Sequence, residues 1–311
     1  MDKVTIFGAG HVGATTAFYL SLSLNVEVAL VDVEEGRARG LALDIEQSLQ
    51  YTGSCSRLEG GADPGAVAES DLVIITAGHP RLPGMSRLDL TGRNAPIVTS
   101  IARETARWAP GAVVVVVTNP VDEMTYLTWK AGSFHERGIM GMAGVLDTSR
   151  FFCFLHRMAE RPASDVEAMV LGTHGDDMVP LVDWSRAGGE PLGESVDPDT
   201  LAEVVERTRG GGAEIVSHLK SGSAYFAPAV SIGVMALAIL GDTGEVLPVS
   251  AFLDGQYGIS GIFLGVPARL GRGGVTEIVE LPLSDGERRM LGRAAEGVRK
   301  RVCDLPDDFL R

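Results

Sequence analysis

Gly8-Ala9-Gly10-His11-Val12-Gly13 decides how the first half of this chain folds. The stretch follows an apolar, β-rich run at 4–7 and opens a helical pattern over 14–23, so it reads as strand, turn and helix within one βαβ-sized unit. In that setting Gly8 permits the tight turn, Gly10 lets a pyrophosphate approach the backbone, and Gly13 allows the helix to close on the strand. The helix N-terminus adds a field that favours phosphate. His11 reads as a loop-filling, solvated histidine. A second strand, 28–31, runs into Asp32, nineteen residues beyond Gly13. An acid at that place hydrogen-bonds an adenine ribose and repels a 2′-phosphate, which favours NAD over NADP.

Working outward, the runs at 72–76 and 112–118 alternate with helical patterns, and 113–117 is uninterruptedly valine, as in a strand covered on both faces. Such alternation predicts an α/β fold whose N-terminal domain, residues 1–144, is a Rossmann doubly wound parallel sheet. The segments Thr76-Ala77-Gly78 and Thr118-Asn119-Pro120 end strands at the carboxyl edge, where open sheets bind ligands. Beyond Gly144 the pattern shifts to longer helices and a late hairpin region, 255–283, turned by Gly271-Arg272-Gly273-Gly274. This predicts a C-terminal α+β substrate domain over 145–311, with the active site between the halves. A last helix, 284 to about 303, opens on the capping-box pair Ser284 and Glu287.

With 311 residues, 45% hydrophobic and 22% charged, the chain has the composition of a two-domain globular protein. Its net charge of −14 disfavours nucleic acid and anionic membranes as partners, and requires any anionic substrate to meet locally clustered cations. The N-terminus enters the first strand at once, so no export signal and a cytoplasmic location are expected. The apolar stretch 226–240 is too short to span a bilayer and reads as a buried helix. Cys55, Cys153 and Cys303 lack metal or disulfide spacing, so no metal site is expected and buried thiols are the default reading.

Two segments of the second half carry the residue types of carbonyl chemistry: Leu146-Asp147-Thr148-Ser149-Arg150, opening a helix, and Gly172-Thr173-His174-Gly175-Asp176, a loop after a strand at 168–171. A histidine exchanges a proton with an alcohol oxygen, a carboxylate orients it, and an arginine clamps a carboxylate substrate. Asp147 and Arg150, three apart, share a helix face. Taken alone, Asp147 also reads as a helix cap and His174 as a surface loop residue. The loop His79-Pro80-Arg81-Leu82-Pro83-Gly84-Met85-Ser86-Arg87 reads either as solvated arginines or as a lid that brings Arg87 against a developing alkoxide.

Together these pieces resemble the lactate/malate dehydrogenase family, and within it the lactate-dehydrogenase-like malate dehydrogenases. GAGHVG at 8–13, VDV at 31–33, TAG at 76–78, RLPGMSRLDL at 81–90, TNPVD at 118–122, LDTSRF at 146–151, THGDDMVP at 173–180 and GSAYFAPA at 222–229 occur in the family's order. The resemblance implies His174 as acid/base, Asp147 as its orienting partner, Arg150 as substrate clamp, Arg87 as carbonyl polariser and Asn119 as a positioning group. It implies an NAD site of Gly8, Gly10, Gly13, Asp32, Thr76, Gly78, Asn94, Thr118 and Asn119. Arg81 stands where the family separates substrates, and an arginine there suits the second carboxylate of malate or oxaloacetate. A homodimer or homotetramer is implied. The alternatives are a lactate or other 2-hydroxyacid dehydrogenase, which Arg81 opposes, and a silent NAD-binding sensor, which leaves His174, Asp147, Arg87 and Arg150 without a purpose. Departures from the family pattern are His79 and Leu82 in the lid and Thr173 before the histidine. Gly210-Gly211-Gly212 reads as a local helix break.

Overall fold

The computed structural model describes residues 1–80, 84–175, 177–220, 222–306 and 309. Its first half holds strands β1 (Asp2–Phe7), β2 (Val26–Val31), β3 (Arg57–Gly61), β4 (Leu72–Ile75), β5 (Val113–Val116) and β6 (Ile139–Gly141), crossed by helices α1 (His11–Ser23), α2 (Glu35–Ser48), α3 (Arg87–Trp108) and α4 (Val121–Gly132). The strands are all parallel in the order β3-β2-β1-β4-β5-β6. That is the doubly wound dinucleotide-binding order expected from the sequence. Every residue of β4 and β5 is buried, because helices cover both faces. Burying each such Val, Leu or Ile side chain contributes about 1.5–3 kcal/mol.

The second half begins with α5 (Gly144–Ala159) and the short strands β7 (Val166–Glu167), β8 (Val170–Gly172), β9 (Met178–Pro180), β10 (Arg186–Ala187) and β11 (Glu190–Pro191). Helices α6 (Leu192–Ser195), α7 (Pro198–Leu219) and α8 (Phe226–Leu240) follow, then β12 (Val246–Asp254), β13 (Ser260–Gly271), β14 (Gly274–Ile278) and α9 (Asp285–Cys303). Strand β12 joins β6 antiparallel through Ser250 and Gly141, so the sheet continues as β6-β12-β13-β8-β9, with β14 also on β13. A main core draws on both halves, from Val4 to Leu305. A smaller one, around Phe151, Phe154, Leu155, Leu201 and Val204, lies where α5 meets α7.

The Ser284–Glu287 capping box opens α9 as the pattern predicts. Helix α8 is largely buried, although Phe226 and Val230 are exposed. Among the described residues no helix is long and apolar enough to cross a membrane. Two expectations fail. Helix α7 runs unbroken through Gly210-Gly211-Gly212, since packing on α5 outweighs a propensity cost of about 1 kcal/mol per glycine. All three cysteines are exposed rather than buried.

Candidate active site

The glycine turn is built by backbone crowding. Gly8 sits at φ +106°, and a methyl on it would come 2.7 Å from the Ala77 nitrogen, while one on Gly13 would come 1.9 Å from the Gly8 carbonyl oxygen. Only hydrogen fits at either place, which lets α1 start hard against the end of β1. At Gly10, by contrast, a methyl would meet nothing within 4 Å, and Gly10 caps α1 without a side-chain hydrogen bond. This bare helix N-terminus suits a pyrophosphate. Asp32, half-buried, accepts from the Ala9 N–H at 2.6 Å and the Glu34 N–H at 2.9 Å, so it pins the turn to the end of β2. His11 is exposed as expected, but it is the first residue of α1 and stacks on Tyr225 at 5.1 Å between ring centroids.

The neighbouring strand ends are tied to one another. The Thr76 hydroxyl donates to the carbonyls of Phe7 (3.0 Å) and Gly8 (3.1 Å). The Thr118 hydroxyl donates to the Ala77 carbonyl at 2.7 Å. A methyl on Gly78 would fall 2.5 Å from the Thr118 Cγ2. Fully buried Asn94 donates to the carbonyls of Asn119 (2.7 Å) and His79 (3.2 Å) and accepts from the His79 N–H (2.7 Å). Asn119 itself is exposed at the carboxyl edge.

His174 leaves β8 and meets the first turn of α5. Its Nδ1 lies 2.9 Å from Asp147 Oδ2, and Arg150 Nη1 donates to Asp147 Oδ1 at 3.2 Å. Asp147 is therefore no helix cap: α5 begins at Gly144, and both carboxylate oxygens are taken by neighbouring side chains. Nor is His174 a surface residue, its side chain being 19% exposed and that of Asp147 2%. The Asp147 carboxylate raises the proton affinity of His174 above the ordinary imidazole range, against burial and the charge of Arg150. With Nδ1–H donated to Asp147, Nε2 is the nitrogen left for proton exchange.

Arg87 opens α3, fixed there by the capping box in which Ser86 Oγ accepts from the Asp89 N–H and Asp89 accepts from the Ser86 N–H. A methyl on Gly175 would come 2.9 Å from Arg87 Nη2, so the guanidinium lies against the loop of His174. Arg81 and Leu82 lie outside the described residues. The sequence reading missed Gly211 and Gly212 of α7, where a methyl would stand 3.4 Å from Arg150 Cδ and Nη2 respectively. Their signal was the glycine run itself, which reads as close helix approach once α7 is known to be continuous. Among the described residues no cluster of His, Cys, Asp and Glu fits a metal ion.

Residues 2–141 match the family model of the lactate/malate dehydrogenase NAD-binding domain, and residues 144–304 match that of the lactate/malate dehydrogenase alpha/beta C-terminal domain. The chain belongs to the lactate/malate dehydrogenase family. A malate dehydrogenase of Methanosarcina mazei is 45% identical to this family member over 305 residues, covering 98% of this chain and 99% of the other. The crystal structure of Cryptosporidium parvum malate dehydrogenase is similar with a TM-score of 0.95 at 38% identity, covering 98% of each chain. The lactate dehydrogenase of the same organism, complexed with lactic acid and the nicotinamide cofactor, gives 0.94 at 38% identity over 98% of this chain and 99% of that one. Backbone shape within the family thus does not separate the two substrates, and side chains must.

Proposed function

We propose that this chain is an NAD-dependent malate dehydrogenase that interconverts (S)-malate and oxaloacetate. The observation that carries the reading is the array of His174, Asp147 and Arg150 within hydrogen-bond reach, with Arg87 against the same loop. Gly8, Gly10, Gly13 and Asp32 hold the NAD pyrophosphate and ribose, and Thr76, Gly78, Asn94, Thr118 and Asn119 shape the rest of its cleft. The bound cofactor supplies the hydride acceptor and donor.

The protein's own groups do the remainder. Arg150 clamps the C1 carboxylate, and Arg81 pairs with the second carboxylate. In malate oxidation neutral His174 takes the hydroxyl proton at Nε2, and Asp147 stabilises the imidazolium. In reduction protonated His174 returns that proton while Arg87 polarises the carbonyl, which concentrates positive charge where the alkoxide develops. The NAD-binding half is residues 1–144 and the substrate half 145–311. The exposed apolar residues Phe18, Leu22, Leu43, Val216, Leu219 and Phe226, spread over α1, α2, α7 and α8, support a homodimer or homotetramer, and the cytoplasm is its proposed location. A net charge of −14 disfavours nucleic acid as a partner.

The rival substrate is lactate, favoured by the likeness to the Cryptosporidium lactate dehydrogenase. The test is kcat/KM for oxaloacetate and for pyruvate with NADH, repeated with Arg81→Gln. Leaving a buried charge unpaired costs about 3–5 kcal/mol. Oxaloacetate preference should therefore fall by roughly two to four orders of magnitude in the variant. Pyruvate preference in the unaltered chain would overturn the malate reading, and turnover of neither would overturn the enzyme.

A further inference from the structure

Next to the loop of Asn119 the chain buries two consecutive carboxylates, Asp122 and Glu123, each 2% exposed in the first turn of α4. Glu123 is ion-paired to Arg301 of α9, close to Asp177 across Gly297. Among the described residues Asp122 has no cation as a hydrogen-bond partner, and it accepts at 2.6 Å from the Ser250 hydroxyl of β12. An isolated buried carboxylate is expensive, so a site that keeps one has a use for its charge or its proton.

Sheet register shows what Asp122 adjoins. Ser250 pairs with Gly265 of β13, and Gly265 pairs with Gly172, the last residue of β8 and two residues before His174. With strands about 4.8 Å apart, Ser250 lies about 10 Å from Gly172. The crossing is tight: a methyl on Gly265 would come 2.3 Å from the Gly172 carbonyl oxygen. On the other side Ser250 pairs with Gly141, where a methyl would strike Val121 and Thr125 of α4. One line of small residues, Gly141, Ser250, Gly265 and Gly172, therefore lets α4 sink onto the sheet and links the partner of Asp122 to the strand that leads into His174.

We propose that Asp122 is a positioning residue for the proton transfer proposed above: its buried carboxyl, seated on Ser250, sets the charge against which His174 gains and loses its proton. The proposal rests on the dehydrogenase reading. Ser250 on β12 is hydrogen-bonded to Asp122, and the charged groups that act on it are Glu123 on its own helix, Arg301 on α9 and His174 on the loop after β8. Burial and the Glu123 charge push Asp122 up to about 7, against the Ser250 hydrogen bond and the charges of Arg301 and His174. Asp147 and Arg150 are the other charges on His174. As pH rises through neutrality Asp122 ionises, and the new negative charge holds the proton on His174. The imidazolium needed for reduction then persists to higher pH than Asp147 alone would sustain.

The test is the titration of the His174 imidazole, followed by NMR in 13C-histidine-labelled protein and assigned with His174→Asn, beside the pH profile of oxaloacetate reduction. Asp122→Asn should lower the His174 midpoint and the alkaline limb of reduction by roughly half a pH unit or more. Ser250→Ala keeps the carboxyl but weakens its ionised form, and should give a smaller shift in the same direction. If Asp122→Asn does not fold, Ser250→Ala decides. A midpoint that stays in place, or a loss of activity uniform in pH, overturns the proposal and leaves Asp122 a packing group. The NMR midpoint reads Asp122 without turnover, whereas failure of the unaltered chain to reduce oxaloacetate would strike the dehydrogenase reading instead.

Discussion

Gly211 faces Arg150 so closely that a methyl on the glycine would touch the arginine Cδ at 3.4 Å. The contact is ordinary for alanine and prohibitive for a longer side chain. Gly211→Ala should therefore leave activity nearly intact, whereas Gly211→Leu should displace the guanidinium and raise KM for oxaloacetate on the order of 10-fold or more. The KM for NADH, read in the same assays, should hold steady, because α7 is remote from the glycine turn in the chain and lies in the alpha/beta C-terminal domain.

Removing the carboxylate beside the histidine should act on chemistry before stability. Asp147→Asn should lower kcat on the order of 100-fold or more, because the imidazolium loses its counter-charge. It should also move the acid limb of malate oxidation to lower pH, since His174 then gives up its proton more readily. The sign for stability follows from the same shift. A histidine whose proton affinity is raised on folding stabilises the native state fully below its unfolded pKa of about 6.5, and that contribution is lost as pH rises through the native value. Thermal melts of the variant should lack this component between the two.

Asp32 holds the turn and, on the proposed reading, selects the cofactor, and substitutions can separate these duties. Asp32→Asn retains an acceptor for the Ala9 N–H but drops the charge, so the ratio of kcat/KM for NADP to that for NAD should rise by on the order of 10-fold. Asp32→Ala drops the acceptor as well, and should weaken both cofactors by loosening the turn. Equal loss with both substitutions would count against a charge-based choice of cofactor.

Asp122 makes a prediction for unfolding. Its native pKa of about 7 lies above the ordinary carboxylate value of 3.8. The unfolded chain then releases this proton while the native state still holds it, so stability falls as pH rises from about 4 toward 7. Asp122→Asn lacks that penalty. The difference in Tm between the variant and the unaltered chain should move in the variant's favour from pH 5 to pH 8.

Much of this was legible in the sequence for a local reason. The glycine turn, the valine run of β5 and the capping boxes are each decided by a few adjacent residues. In the first half the strands the pattern did not single out are β3, half-exposed and carrying Arg57 and Glu59, and β6, three residues long. The His174–Asp147–Arg150 array was expected from residue types, but its geometry depends on β8 meeting α5, which no local pattern encodes. The environment of Asp122 was invisible for the same reason: Ser250 is 128 residues away and Arg301 another 51 beyond it, and only sheet order and the packing of α9 on α4 bring them together. Exposed cysteines defeated a preference that is statistical rather than structural.

Asn94 was expected to serve the cofactor cleft, and its amide is wholly committed to protein: two N–H groups on the carbonyls of His79 and Asn119, and one oxygen on the His79 N–H. Exchange of that single –NH2 for oxygen, the change that deamidation makes during chemical ageing, would turn both donors into an acceptor aimed at two carbonyl oxygens. Two loops now clasped would be driven apart from a point with no access to water. The side chain's confinement within α3 is what guards it, because the ring closure that precedes deamidation needs a backbone freedom the helix denies. The durability of the site over time thus depends on one helical turn remaining wound.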